Sequence, residues 1–433
     1  MAENKRVLIL AVRFGNGHWQ TALTLKKALL DAHPTIEVDV VNYLQFAGYF
    51  FDILIRLFYH DLMIRVPPLY RFFFRYTDRK TQNSFFQRFV KTVGAPAFLL
   101  YVTSTRPDVI ISTYPVPAAV VAWLKQRRLI KCTLVTVITD YMLHQTWIQP
   151  GTDLYIAPSE TVAGELIRQG ILPEQVAVTG IPIDHRFMDE ASRALPGLLS
   201  DLPEELQGLP VVLLISGATN FGGDLSRICR LLAGLPVPHV AVVLGVRYPQ
   251  RRLNLTRLVS KGRNRVFIVG YSQEVPMFMA AASCMISKAG GITISEALAT
   301  ELPMIIYKAL PCQEEMNRDF LTREGAALAA RNLNELGRML GDVLQNEGLR
   351  ARMENAAARL KHPDAASAAV SRMAPYLEKQ KPEARSRRLA LTIKAGRKAG
   401  RRIQKRFRHP INGIRLLFYV NNRRAKRKKP PRL

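Results

Sequence analysis

The run from Met285 to Asn317, MISKAGGITISEALATELPMIIYKALPCQEEMN, constrains this chain more than any other segment. Met285–Ser287 ends a short apolar strand, Thr293 to Thr300 reads as a helix with Ile294, Ala297 and Leu298 inward, and Pro303 to Tyr307 reads as a second buried strand. Gly290 and Gly291 let a ligand approach the backbone at the amino end of that helix. Unpaired amides and the helix dipole favour phosphate oxygens there. The loop expected to hold Gln313 and Glu314 leaves the next strand on the same side, where α/β sheets bind ligands. A phosphate seat, an acid for hydroxyls at Glu296 and a polar pair suit a sugar nucleotide. Thr293 and Glu296 also fit a capping box that would only close the helix start. Both readings of Glu296 stand at this point.

The rest of the chain repeats the alternation. A first unit opens with strand Val7–Val12, turn Arg13–Gly17 and helix His18–Leu30, and continues through strands Glu37–Val41, Val109–Ser112 and Leu134–Ile138. Residues 195–210 mix Pro, Gly, Leu and acids without a period, as a linker does. A second unit opens with Val211–Ser216 and continues through Val240–Leu244, Val266–Val269, Met285–Ser287 and Met304–Tyr307. The pattern predicts two doubly wound α/β domains facing a cleft. Their bounds are 1–190, a linker over 191–209, and 210–378.

Most of the net charge of +28 lies in one place. Residues 379–433 hold 21 Lys and Arg against the single acid Glu383, which leaves about +8 for the other 378 residues. Such a tail lies on anionic lipid or binds nucleic acid. No run reaches the roughly 18 apolar residues of a membrane span, and Val7–Val12 is too short for a secretory signal. Cys132, Cys229, Cys284 and Cys312 lack metal or disulfide spacing, as expected of reduced thiols in a cytoplasmic protein. Between Tyr43 and Phe98 lie 16 of the 36 aromatic residues, interleaved with bases. That density points to an insertion, about 43–98, that dips into lipid headgroups.

Four blocks carry a family resemblance: FGNGHWQTA at 14–22, TDYMLHQTW at 139–147, VTGIPIDHRF at 178–187, and SKAGGITISEAL with PCQEEMN across 287–317. In this order they resemble the monogalactosyldiacylglycerol synthase and processive diacylglycerol glucosyltransferase family. More distantly, the chain is similar to the lipid II-forming N-acetylglucosaminyl transferase. The resemblance covers roughly residues 5–375. It implies a GT-B fold and a metal-independent, inverting hexosyltransferase that moves glucose or galactose from a UDP-sugar to diacylglycerol or a glycosyl-diacylglycerol. The site needs no metal and no cofactor beyond the donor, and no Asp-x-Asp motif is evident to hold a cation.

On that resemblance His18, after Gly17, is the general base, and Asp140 orients His18 or the acceptor. His144 and Trp147 lie on the acceptor side. Gly217 and Ala218, in the loop after strand Val211–Ser216, face the diphosphate, and Tyr271 sits where uracil is held. Gly290, Gly291 and Thr293 frame the phosphate seat, Glu296 bonds the ribose, and Gln313 and Glu314 read the sugar. Cys312 stands where the family commonly has Gly. The expected partners are a UDP-hexose, diacylglycerol and an anionic membrane surface, with no specific nucleic acid. The expected location is peripheral, on the cytoplasmic face of the membrane. Two alternatives accompany this reading: another lipid acceptor such as a polyprenyl-linked sugar, and a nucleic-acid-binding protein with a degenerate transferase core.

Overall fold

In the computed structural model the described residues are 5–13, 17–47, 67–78, 94–189, 197–216 and 220–378. Gly217, Ala218, most of the aromatic insertion and the basic tail lie outside them.

Two six-stranded parallel sheets form the scaffold. The first comprises β1 (Arg6–Ala11), β2 (Glu37–Asn42), β3 (Val109–Ser112), β4 (Thr133–Val137), β5 (Leu154–Ala157) and β6 (Val176–Val178), in the order β2-β1-β3-β4-β5-β6. The second comprises β7 (Val211–Ile215), β8 (Val240–Leu244), β9 (Arg265–Ile268), β10 (Cys284–Ser287), β11 (Met304–Tyr307) and β12 (Ala327–Ala330), in the order β12-β11-β10-β7-β8-β9. Parallel strands covered on both faces are apolar nearly throughout. In β1, Val7, Ile9 and Ala11 enter one core with Leu25 and Leu29, while Leu8 and Leu10 enter another with Tyr43, Phe98 and Val120. In β7, Val212 and Leu214 face one side and Leu213 the other. The strand period of two thus builds a separate core on each face of each sheet.

Strand order reverses between β1 and β3 in the first sheet and between β7 and β10 in the second. Open α/β sheets bind ligands outside the strand ends at such points. Helix α1 (Gly17–Ala32) starts at the first reversal and α3 (Gly291–Ala299) at the second. These two amino ends meet: a Cβ added at Gly17 would come within 2.7 Å of Ile292.

One boundary is corrected. The last described helix, α5 (Ala365–Glu378), belongs to the first domain's core. Its Ala369, Val370, Met373 and Leu377 pack with Val7, Ile9, Leu25 and Leu29. The second domain therefore ends before Ala365, not at 378. The expected linker also contributes to the second core, through Leu199 and Leu202. Among the described residues no helix is long and apolar enough to cross a membrane.

Candidate active site

The first wall of the cleft is built by α1 and the residues after β4. His18 is half-buried, with its ring edge-on to Tyr114 at 5.0 Å. Its Nδ1 lies 3.1 Å from the Thr139 hydroxyl oxygen. Loss of water pushes the imidazole down to about 4, opposed by a bond with the Thr113 backbone. His18 is therefore neutral at pH 7. With Thr139 Oγ1 accepting from Nδ1–H, the lone pair of Nε2 is available for a proton.

Of the two roles expected of Asp140, orienting His18 or the acceptor, the bond to His18 falls to another residue. Thr139 holds His18, and the Asp140 carboxylate accepts from Trp147 and Asn317. Burial raises Asp140 to about 6, and those two bonds pull the other way. Trp147 is a core residue, 1% exposed among Ile138, Leu143 and Tyr155. His144 is buried as well and caps the short turn Gln145–Trp147, its Nδ1 accepting from the Thr146 backbone N–H at 3.1 Å. Neither side chain is open to an acceptor in this arrangement.

The second wall is the donor-side turn. Helix α3 begins at Gly291 with Gly290 as its N-cap, and no side chain caps it. The capping box expected of Thr293 and Glu296 is not formed, because the helix starts two residues earlier and Thr293 lies inside its first turn. A Cβ at Gly290 would meet nothing within 4 Å. At Gly291 it would sit 2.0 Å from the Thr139 carbonyl oxygen. The terminus is thus open on the Gly290 side and pressed against the first domain at Gly291. Glu296, half-buried in the second turn, is raised to about 8 by burial and further by the Asp184 charge.

Gln313 and Glu314, expected in a loop, instead form the first turn of α4 (Gln313–Glu324). Cys312 precedes them at φ 72°. That is a region glycine adopts freely and other residues rarely, so this position shows why a glycine would suit it. The turn is held by Glu314 Oε2 accepting from Leu310 N–H at 2.7 Å and Glu315 Oε2 accepting from Cys312 N–H at 2.9 Å. Burial raises Glu314, opposed by the Lys288 charge and that backbone bond. Tyr271, on the loop after β9, is 75% exposed and leaves its ring open for stacking.

Three further residues complete the cleft. Asn317 is buried, accepts from Tyr141 N–H at 2.8 Å, donates to the Ala289 carbonyl at 3.0 Å and bonds Asp140. It ties the acceptor wall to the turn just before Gly290. Tyr141 adds an OH bond to Ser295 at 2.9 Å and a stacked ring on Phe320 at 5.2 Å. Lys288, half-buried just after β10, places a cation beside Glu314 and two residues before Gly290. One signal for Asn317 was in the sequence: it follows Gln313 by four residues, hence on the same helix face. Among the described residues no group of His, Cys, Asp and Glu could hold a metal ion.

Comparison with known proteins agrees with this layout. Residues 18–183 match the model of monogalactosyldiacylglycerol (MGDG) synthase, and residues 237–360 match that of glycosyl transferases group 1. The chain is 29% identical over 381 residues to the processive diacylglycerol beta-glucosyltransferase of Bacillus thuringiensis (strain Al Hakam), covering 84% of this chain and 92% of that one. Among solved structures, MurG of Acinetobacter baumannii superposes with a TM-score of 0.56 at 15% identity, over 85% of this chain and 98% of that one. The S. aureus MnaA–UDP structure gives 0.58 at 14% identity, over 88% and 100%. The latter two bear on the fold alone. With its blocks lying in both walls of one cleft, the chain is a glycosyltransferase of GT-B fold that is similar to the monogalactosyldiacylglycerol synthase and processive diacylglycerol glucosyltransferase family.

Proposed function

We propose that this protein transfers a hexose from a UDP-sugar to the hydroxyl of diacylglycerol, or of a glycosyl-diacylglycerol, at a membrane surface, with inversion at the anomeric carbon. One observation carries the reading. Thr139 holds the neutral His18 by its hydroxyl and touches the start of α3 by its carbonyl, so base and phosphate seat share a support. In the transfer, His18 takes the acceptor proton as the acceptor oxygen attacks the anomeric carbon. The bond from that carbon to the β-phosphate oxygen breaks, and UDP leaves with its electrons. The amides at Gly290–Gly291, the positive end of α3 and Lys288 receive the developing charge. Charge stabilised in this way needs no bound cation, so chelation is expected to leave transfer intact. Glu296 bonds the ribose, and Gln313 and Glu314 face the sugar.

Membrane association completes the proposal. Leu69 and Phe72, on helix α2 (Pro67–Asp78), are 50% and 69% exposed with Arg75 beside them. An apolar pair flanked by bases is the composition of an interfacial contact, and the 21 bases of residues 379–433 add attraction to anionic lipid. UDP release from UDP-glucose and from UDP-galactose, with and without diacylglycerol micelles, tests the function. Lipid-dependent release from either donor is expected, and none from any UDP-hexose would sink the proposal.

A further inference from the structure

Helix α2 has a second face that the proposed membrane contact does not use. Tyr70 and Phe74 are 3% and 9% exposed and pack with Leu310 and Cys312 of the turn before α4 and with Met316 in its first turn. Arg71, between them, places Nη2 2.6 Å from Glu315 Oε1. The other oxygen of that carboxylate accepts from Cys312 N–H at 2.9 Å. One carboxylate therefore links Arg71 to the residue whose φ of 72° sets the direction of Gln313 and Glu314. The same buried face also leans on the first wall, where Phe74 packs on His144 at 4.2 Å.

We infer that Arg71 is a positioning residue, and α2 a strut that carries lipid engagement at Leu69 and Phe72 to the donor-sugar turn at Cys312–Glu314. The inference rests on the proposed function and extends it. Three features select it. A non-glycine residue at positive φ is strained and persists only where its surroundings over-determine it. Here those surroundings include side chains from the other domain. The two faces of one short helix carry the two contacts, with Leu69 and Phe72 exposed beside the buried Tyr70 and Phe74. Finally, the strut touches the turn assigned to the hexose, whereas Gly290, Gly291 and Glu296, on α3 and its cap, are assigned to the nucleotide. Hexose and nucleotide recognition are thereby separable.

The test is titration calorimetry of the full chain with UDP and with UDP-glucose and UDP-galactose, for wild type, Arg71→Ala, Glu315→Ala and the double variant. Arg71→Ala is expected to weaken UDP-hexose binding about fivefold, the upper range of a partly exposed ion pair, and to leave UDP affinity unchanged. The double variant should be no worse than Glu315→Ala alone, because both act through one carboxylate. Arg71→Lys should recover part of the loss. A second arm compares Phe72→Ser with wild type on phosphatidylglycerol vesicles with and without diacylglycerol. Wild type should show a lower KM for UDP-hexose on the vesicles than in detergent, and Phe72→Ser should lose that difference while retaining its detergent turnover. Equal loss of UDP and UDP-hexose affinity in Arg71→Ala, no loss of either, or an unchanged vesicle effect in Phe72→Ser would overturn the strut. A wild type that binds UDP-hexose yet transfers to no lipid would overturn the proposed function instead.

Discussion

Gly290 and Gly291 are adjacent, and the structure assigns them opposite reasons for lacking a side chain. At Gly291 an added Cβ would lie 2.0 Å from the Thr139 carbonyl oxygen and 3.0 Å from its carbon. Both are backbone atoms, so no rotamer relieves the clash. Real Cβ contacts essentially never fall below 3.0 Å, so α3 and the β4 end must separate by at least about 1 Å. Thr139 also holds His18, hence the separation moves the base away from the donor seat. A misplacement of about 1 Å costs on the order of 10²-fold in rate, or about 2.7 kcal/mol of barrier. Helix propensity works the other way, since Ala is about 1 kcal/mol better than Gly in a helix. Gly291→Ala should therefore lower kcat/KM about 100-fold with a Tm close to wild type, as the domains part and each still folds. Gly290→Ala is the control, because its Cβ meets nothing in the protein. It should fold normally and lose UDP affinity, because only a bound phosphate stands in the way. Steady-state kinetics, thermal denaturation and UDP titration on both variants decide the matter. If Gly291→Ala retains kcat/KM within threefold, the contact with Thr139 is not part of the reacting state. If Gly290→Ala binds UDP normally, the phosphate is seated elsewhere.

His18→Ala should lower transfer by about 10²–10⁴ while UDP affinity stays near wild type, and activity within a few-fold would return His18 to a packing role against Tyr114. Glu296 is held at about 8 in the folded protein against 4.5 for the free group, so between those values the folded state keeps a proton that the unfolded chain has released. Its contribution therefore lowers stability as pH rises through that window, and Glu296→Gln should gain in denaturation midpoint over wild type from pH 5 to pH 8 (roughly the span over which the proton is lost); parallel midpoints across that range would refute the assignment. Removal of residues 381–433 should abolish salt-sensitive co-sedimentation with anionic vesicles, because each base near such a surface contributes on the order of 1 kcal/mol and is screened within a Debye length. Turnover of a detergent-dispersed acceptor should survive, and equal pelleting of both chains would move the anchor to the aromatic insertion.

What was legible in the sequence was local and periodic. Strands such as Val7–Val12 and Val240–Leu244 announce themselves as apolar runs closed by turns, and they appear within a residue or so of where they were expected. Three strands gave no such signal. Leu154–Ala157 and Val176–Val178 are too short for a pattern of two to be distinguished from a helix fragment, and Ala327–Ala330 consists largely of the best helix former. Ala365–Glu378 was readable as a helix, but its own pattern cannot say which domain's core receives Ala369 and Met373. That choice depends on a groove beside α1 assembled from residues more than 300 positions earlier.

The same limit explains the site. Each wall was visible as a motif, because a turn that must approach a ligand needs glycine at a fixed place after a strand. The joint between the walls was not, because it consists of pairs that no short-range pattern connects. Tyr141 and Asn317 are 176 residues apart, and Tyr141 and Ser295 are 154 apart. Asn317 in sequence shares a helix face with Gln313, but only its burial and its bonds to Ala289 and Tyr141 show that it joins the two walls. The misplaced bond of Asp140 has the same origin. An acid one residue from the histidine's true partner is a natural candidate to orient it, yet the chain has left β4 at Val137 and bends at Asp140, so the two neighbouring side chains reach different partners. Thr139 and Asp140 consequently divide the work: one supports the base from within its own domain, and the other faces Asn317 across the cleft. Because Asn317 also holds the carbonyl that precedes Gly290, any change in the donor turn is felt at Asp140 one hydrogen bond away.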